Sequence, residues 1–149
     1  MKHIYKVLLL SCVAITVVSI AKAQNPTSTR KDQFSKLSER LPVAVSELDK
    51  AFIAPEGTKV QLIFSNFSFS GIITSSVKRY DNLYSVVIKS SSPDNTLFSI
   101  SKRINDDQSI SYVGRIINEK YADGYELRKE SNGTYSMNKI KTEVLIQDY

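Results

Sequence analysis

The chain has 149 residues, with 20 Lys and Arg against 15 Asp and Glu, for a formal charge of +5. Its first 23 residues hold Lys2, Lys6, Lys22, the only His (His3) and the only Cys (Cys12), which leaves 20 − 3 = 17 basic and 15 acidic residues beyond them and no His, Cys or Trp. That inventory excludes disulfides, Ser-His-Asp and Cys-His catalysis, and it removes the usual ligands of zinc, haem and iron–sulfur centres.

Residues 1–23 read as a signal peptide. Lys2 and Lys6 give a basic start, Val7 to Ile20 is apolar apart from small polar residues, and Ala21-Lys22-Ala23 is an A-x-A cleavage pattern. Cleavage after Ala23 would release a secreted or periplasmic product beginning at Gln24. The apolar run of 14 residues is short of the ~20 that cross a bilayer as a helix, so no membrane span remains. Leu9-Leu10-Ser11-Cys12 resembles a bacterial lipobox, which makes a lipid anchor at Cys12 the minority alternative. Apolar Val13 to Ile20 would then follow the lipid, where a polar tether is needed.

The remaining 149 − 23 = 126 residues suffice to bury one core. They divide into a polar leader, 24–41, and a single β-rich domain, 42–149. Gln24 to Asp32 carries Pro26 and no periodicity. Phe34, Leu37 and Leu41 then recur at i, i+3 and i+7, the spacing of a short helix that stops before Pro42. Ser46, with Asp49 three residues on, predicts the capping box of a second short helix, ended by Pro55 and Gly57. Its Leu48, Ala51 and Phe52 share one face, which must pack on the sheet.

From Lys59 the period is two. Val60, Leu62 and Phe64 alternate with Lys59, Gln61 and Ile63. Phe67, Phe69 and Gly71 continue the run, and Gly71 predicts a bulge or a close backbone approach. Arg79 to Asn82 reads as a turn into a strand over Leu83 to Lys89. Ser91 to Asn95 turns the chain into a strand over Thr96 to Arg103, and Asn105 to Gln108 leads into another at Ser109 to Asn118. In that strand Ile110, Tyr112 and Ile116 oppose Ser111, Val113 and Arg115. Ala122-Asp123-Gly124 predicts a turn, and Asn132-Gly133 a hairpin between Tyr125–Lys129 and Thr134–Lys139. Val144 to Ile146 suits a last short strand. The pattern predicts an all-β fold, an antiparallel meander of seven or eight strands closed as a small sandwich or barrel, with one or two short N-terminal helices.

Little here carries chemistry. Asp81-Asn82, Asp94-Asn95 and Asn105-Asp106-Asp107 offer oxygen ligands for calcium, but turns use these residues anyway. Carboxylate pairs such as Asp123 with Glu126, or Glu119 with Asp123, could run hydrolysis without His, yet they adjoin turns and are expected to be solvated. Asn66-Phe67-Ser68 and Asn132-Gly133-Thr134 match the glycosylation sequon, which carries no meaning if the exporter is bacterial, as the look of the signal suggests. The basic pairs are scattered, which argues against nucleic acid. The Ser-rich polar faces (Ser65, Ser68, Ser70; Ser99, Ser101; Ser109, Ser111) are weakly charged and are expected to be covered by the protein's own helix.

The expected function is that of an exported, non-enzymatic binding or structural module for a protein or glycan partner, without cofactor or metal. Arg115, Tyr121 and Tyr125 are the candidate exposed contacts. A lipocalin-like carrier would need an interior pocket lined by Phe64, Phe69, Phe98 and Ile116. A carboxylate-only hydrolase is the third reading.

Overall fold

The computed structural model describes residues 30–90 and 95–142. The signal peptide with its Cys12 alternative, most of the Ser91–Asn95 turn and the strand expected at 144–146 lie outside the described residues. The described chain forms strand β1 (Arg40–Val43), helix α1 (Val45–Ile53), then β2 (Lys59–Phe64), β3 (Phe67–Tyr80), β4 (Leu83–Ser90), β5 (Leu97–Ile104), β6 (Ile110–Ile117), β7 (Asp123–Lys129) and β8 (Tyr135–Lys141). All eight strands share one antiparallel sheet, ordered β1-β8-β7-β6-β5-β4-β3-β2. From β2 to β8 it is an unbroken meander.

Strand β1 joins the far edge, beside β8, although only α1 separates it in sequence from β2. The two ends must therefore curl toward each other, and the rings record it. Phe64 on β2 meets Phe98 on β5 at 5.8 Å, and Phe67 on β3 stacks on Tyr125 of β7 at 6.4 Å, four strands away in the sheet. The result is a curled half-barrel, the all-β architecture expected.

Period two fixes its inner surface. Val60, Leu62 and Phe64 of β2, Phe98 and Ile100 of β5, and Tyr125 and Leu127 of β7 all fall on the buried face. Two pieces of the N-terminal part fill the concavity: Leu48 and Ala51 of α1, and Phe34 of the leader, whose ring lies 5.2 Å from that of Tyr125.

The first expected helix is absent. Phe34 to Leu37 is a turn closed by the Leu37 amide on the Phe34 carbonyl, and Leu41 is a strand residue opposite Met137, 1 % exposed. Three apolar residues in a polar segment cannot hold a helix against a strand ladder and a core position. Pro42 fits there because the Lys139 amide bonds Glu39. That phase points the Leu41 and Val43 amides at β8 and the proline nitrogen at the open edge.

The second helix is real but starts one residue before Ser46. Ala44 is its N-cap and makes no side-chain cap bond. Ser46 falls inside the first turn, and Asp49 reaches the sheet instead. Glu47 supplies the first-turn acid, and its Oε2 accepts the Ile63 amide of β2 at 2.9 Å. That bond bridges the seam between the edges, where β2 presents the amides that no strand pairs.

Gly71 is a close approach. A Cβ there would stand 2.6 Å from the Lys89 carbonyl oxygen of β4, while the irregularity in β3 falls later, between Ile73 and Ser75. The two-residue turn at Ser65 and Asn66, with Ser65 at φ 57°, splits what reads as one run into β2 and β3.

Candidate functional site

Inside the curl the polar groups hold the fold together. The Asp49 carboxylate accepts the Tyr112 hydroxyl at 2.6 Å and the Lys102 ammonium at 2.8 Å, pinning α1 to β5 and β6. Burial pushes Asp49 up, but hydrogen bonds from Lys102 and Tyr112 and the Lys102 charge outweigh it and hold the carboxyl below its usual range. Burial, then the hydrogen bond to Asp49, pushes the Tyr112 phenol far above its ordinary value. The Tyr135 hydroxyl in turn accepts the Tyr112 amide at 3.1 Å. It replaces a β7 partner that β6 lacks over this stretch, since β6 and β7 pair only at Gly114 to Ile116.

Asp123 opens β7 and is 0 % exposed, not solvated. Its two carboxylate oxygens accept the Gln33 and Phe34 amides, so it anchors the leader where it enters the curl. The turn expected at Ala122 to Gly124 lies earlier, between Asn118 and Tyr121. Tyr125, expected as an exposed contact, is a core residue at 0 % exposure whose hydroxyl donates to the Ser38 carbonyl at 2.7 Å. Period two assigns it to the face of Leu127, and that face is the inner one. Burial, then the Glu39 and Asp123 charges, push its phenol up to about 12, so it stays a neutral donor.

The outer face is arranged differently. Along β5 the outward residues are Leu97, Ser99, Ser101 and Arg103, and along β6 they are Ser111, Val113, Arg115 and Ile117. Register places Ser99 opposite Arg115, Ser101 opposite Val113, and Leu97 opposite Ile117, with Lys89 of β4 beside Leu97. Helix α1 and the leader sit on the other side, so the Ser-rich face expected to be covered by the protein's own helix is open. The reason is physical: α1 has one apolar face, and it goes to the apolar side of the sheet.

Two concavities lie along this face. One, of about 410 Å³, is lined by Ser99, Ser101, Val113, Arg115 and Glu126, where β7 diverges from β6. The other, of about 310 Å³, is lined by Lys89, Asn95, Leu97 and Ile117 and by Asn118, Glu119 and Lys120 of the following turn. Ser99 neighbours Leu97 and Arg115 neighbours Ile117 on the same face, so the two lie end to end along β5 and β6 and are together called the trough. Val113 is 63 % exposed at its side. Arg115 and Arg128 grip the two oxygens of Glu126 at 2.9 and 2.6 Å. Burial pushes Glu126 up, but the bonds from Arg115 and Arg128 and their charges prevail and hold it below its usual range.

Of the expected contacts, Arg115 stands in the trough. Tyr121 is half-buried in the turn beside its Asn118–Lys120 end, and Tyr125 is on the opposite side of the sheet. Sequence reading passed over Val113, Leu97, Ile117, Lys89 and Arg103, although the same alternation places each of them on the outer face. The proposed carboxylate pairs do not form a cleft: Asp123 is engaged by backbone amides and Glu126 by two guanidinium groups. Among the described residues no group of three His, Cys, Asp or Glu comes together that could hold a metal, and no helix is long and apolar enough to cross a membrane. Compared with known proteins, the chain matches no family model, no curated protein and no solved structure.

Proposed function

We propose that the protein is an exported, non-enzymatic binding module that holds a glycan partner in the trough over β5 and β6. The observation that carries this reading is the composition of that trough. Hydroxyls (Ser99, Ser101) and a guanidinium (Arg115) offer directional hydrogen bonds, and aliphatic side chains (Val113, Leu97, Ile117) offer surface for sugar C–H faces. The trough is also long and open, as an extended chain molecule requires.

The carrier reading has less support. Phe64, Phe69, Phe98 and Ile116 are each at most 1 % exposed, and Phe98 packs edge-on against both other rings at 5.8 Å. The side chains that would line a pocket fill it.

A panel of immobilised oligosaccharides, probed with the exported protein and with Val113→Glu and Ser99→Glu variants, tests the reading. Binding to at least one glycan, weakened by either substitution without a change in melting temperature, is the expected result. Binding unaffected by both would move the site elsewhere.

A further inference from the structure

The trough reading can be taken further, to the charge of the partner, and the inference rests on that reading. The bulk count of 17 basic and 15 acidic residues beyond position 23 reads as near balance. The fold does not leave it mixed. Outward strand positions carry Arg40, Lys59, Lys89, Arg103, Arg115 and Arg128 against Glu126, and Glu130, just past the end of β7, pairs with Arg40 on the same face, so the balance is 6 − 2 = +4. Everything else beyond position 23 then sums to 2 − 4 = −2. Three further acids, Glu47, Asp49 and Asp123, are engaged in fastening the helix and the leader.

The outward charges are also placed to act on something long. Lys89 lies beside Leu97 at one end of the trough, and Arg103 lies six residues further along β5, roughly 20 Å away at the rise of a strand. Arg115 and Arg128 stand along the flank between them. Lys89 and Arg103 form no ion pair among the described residues, and both are exposed. With Arg115 and Arg128 shared with Glu126 between them, these two cations leave this face positive beside hydroxyls and small aliphatic groups. Such a face concentrates anions. No aromatic ring stands on the outward side of β5 or β6 to stack on a base, as single-stranded nucleic acid would require. We infer that the trough takes an acidic polysaccharide, its carboxylate or sulfate groups matched to Lys89 at one end and Arg103 at the other.

The test is binding of the exported protein to polygalacturonate, heparin, dextran and duplex DNA by titration calorimetry. Polygalacturonate or heparin should bind, dextran should not, and affinity should fall at least about tenfold between roughly 0.05 and 0.3 M salt as screening sets in. The double variant Lys89→Gln/Arg103→Gln should lose about tenfold in affinity at low salt, two charges at about fivefold or less each, with an unchanged melting temperature. Dextran binding that ignores both salt and the double variant would overturn the charge inference and leave the trough reading standing. Tighter binding of DNA than of either polysaccharide would overturn the inference. Failure of every carbohydrate would overturn both.

Discussion

Asp123→Asn isolates one joint in this architecture, the attachment of the leader. The carboxylate is fully buried and accepts two backbone amides, from Gln33 at 2.5 Å and Phe34 at 3.0 Å. A hydrogen bond to a charged acceptor contributes about 1.5–3 kcal/mol. Asparagine keeps one acceptor oxygen, so one bond is lost and the other becomes neutral, a net loss of about 2–3 kcal/mol. Spread over a domain of this size, 1 kcal/mol moves the melting midpoint by about 4 °C, so the variant should melt about 10 °C lower. Thermal unfolding by circular dichroism measures the loss, and amide exchange at Gln33 and Phe34 locates it. Those two amides should exchange fastest relative to the parent, because Phe34 leaves the curl with the leader. A midpoint within about 2 °C of the parent, or unaltered protection at both amides, would refute the reasoning.

Three further perturbations test other joints. Asp49→Asn should cost about 1–2 kcal/mol at neutral pH, less than a buried pair because the side chain is 34 % exposed. Since the folded carboxyl is held low, its contribution is complete above the ordinary carboxylate range of about 4 and fades as pH falls through the folded value. Melts at pH 7 and about 3 should therefore show the gap to the parent narrowing in acid, and a gap that widens would contradict the assignment. Gly71→Ala drives a Cβ against the Lys89 carbonyl, a backbone atom that cannot swing aside, and should cost about 3 kcal/mol in chemical denaturation. Glu47→Ala removes the acceptor of the Ile63 amide at the seam, so hydrogen exchange there should speed up by roughly tenfold while the β5–β6 amides keep their protection.

What the sequence disclosed is what alternation can carry. Strand parity from Val60 to Met137 sorts inner from outer residues, and the Asn132-Gly133 hairpin announces itself through a residue able to adopt φ 84° at Gly133. The Ser65–Asn66 turn carries no glycine or proline, so only a weak Ser-Asn signal marks the break between β2 and β3. Leu41 could not be read as a strand residue, because its partner Met137 lies about a hundred residues away and a four-residue strand with two buried positions is too short to show a period. Asp123 illustrates a different limit. An acid beside a glycine reads as a turn, and only the long-range arrival of the Gln33 and Phe34 amides explains its burial. Tyr125 was misassigned by its neighbours, since a tyrosine near a turn suggests exposure while its alternation with Leu127 already gave the inner face. Charge segregation was hidden for the same reason as the curl. It belongs to the register of six strands together, and no local window contains it.

The most direct measurement is the amide spectrum of the exported protein, titrated with oligogalacturonate. If the outer face is the contact surface, shift changes should concentrate at Ser99 to Arg103 and Val113 to Ile117 and leave Leu48, Ala51 and Ile63 unmoved. Changes confined to α1 and the seam beside Ile63, with β5 and β6 silent, would contradict the account.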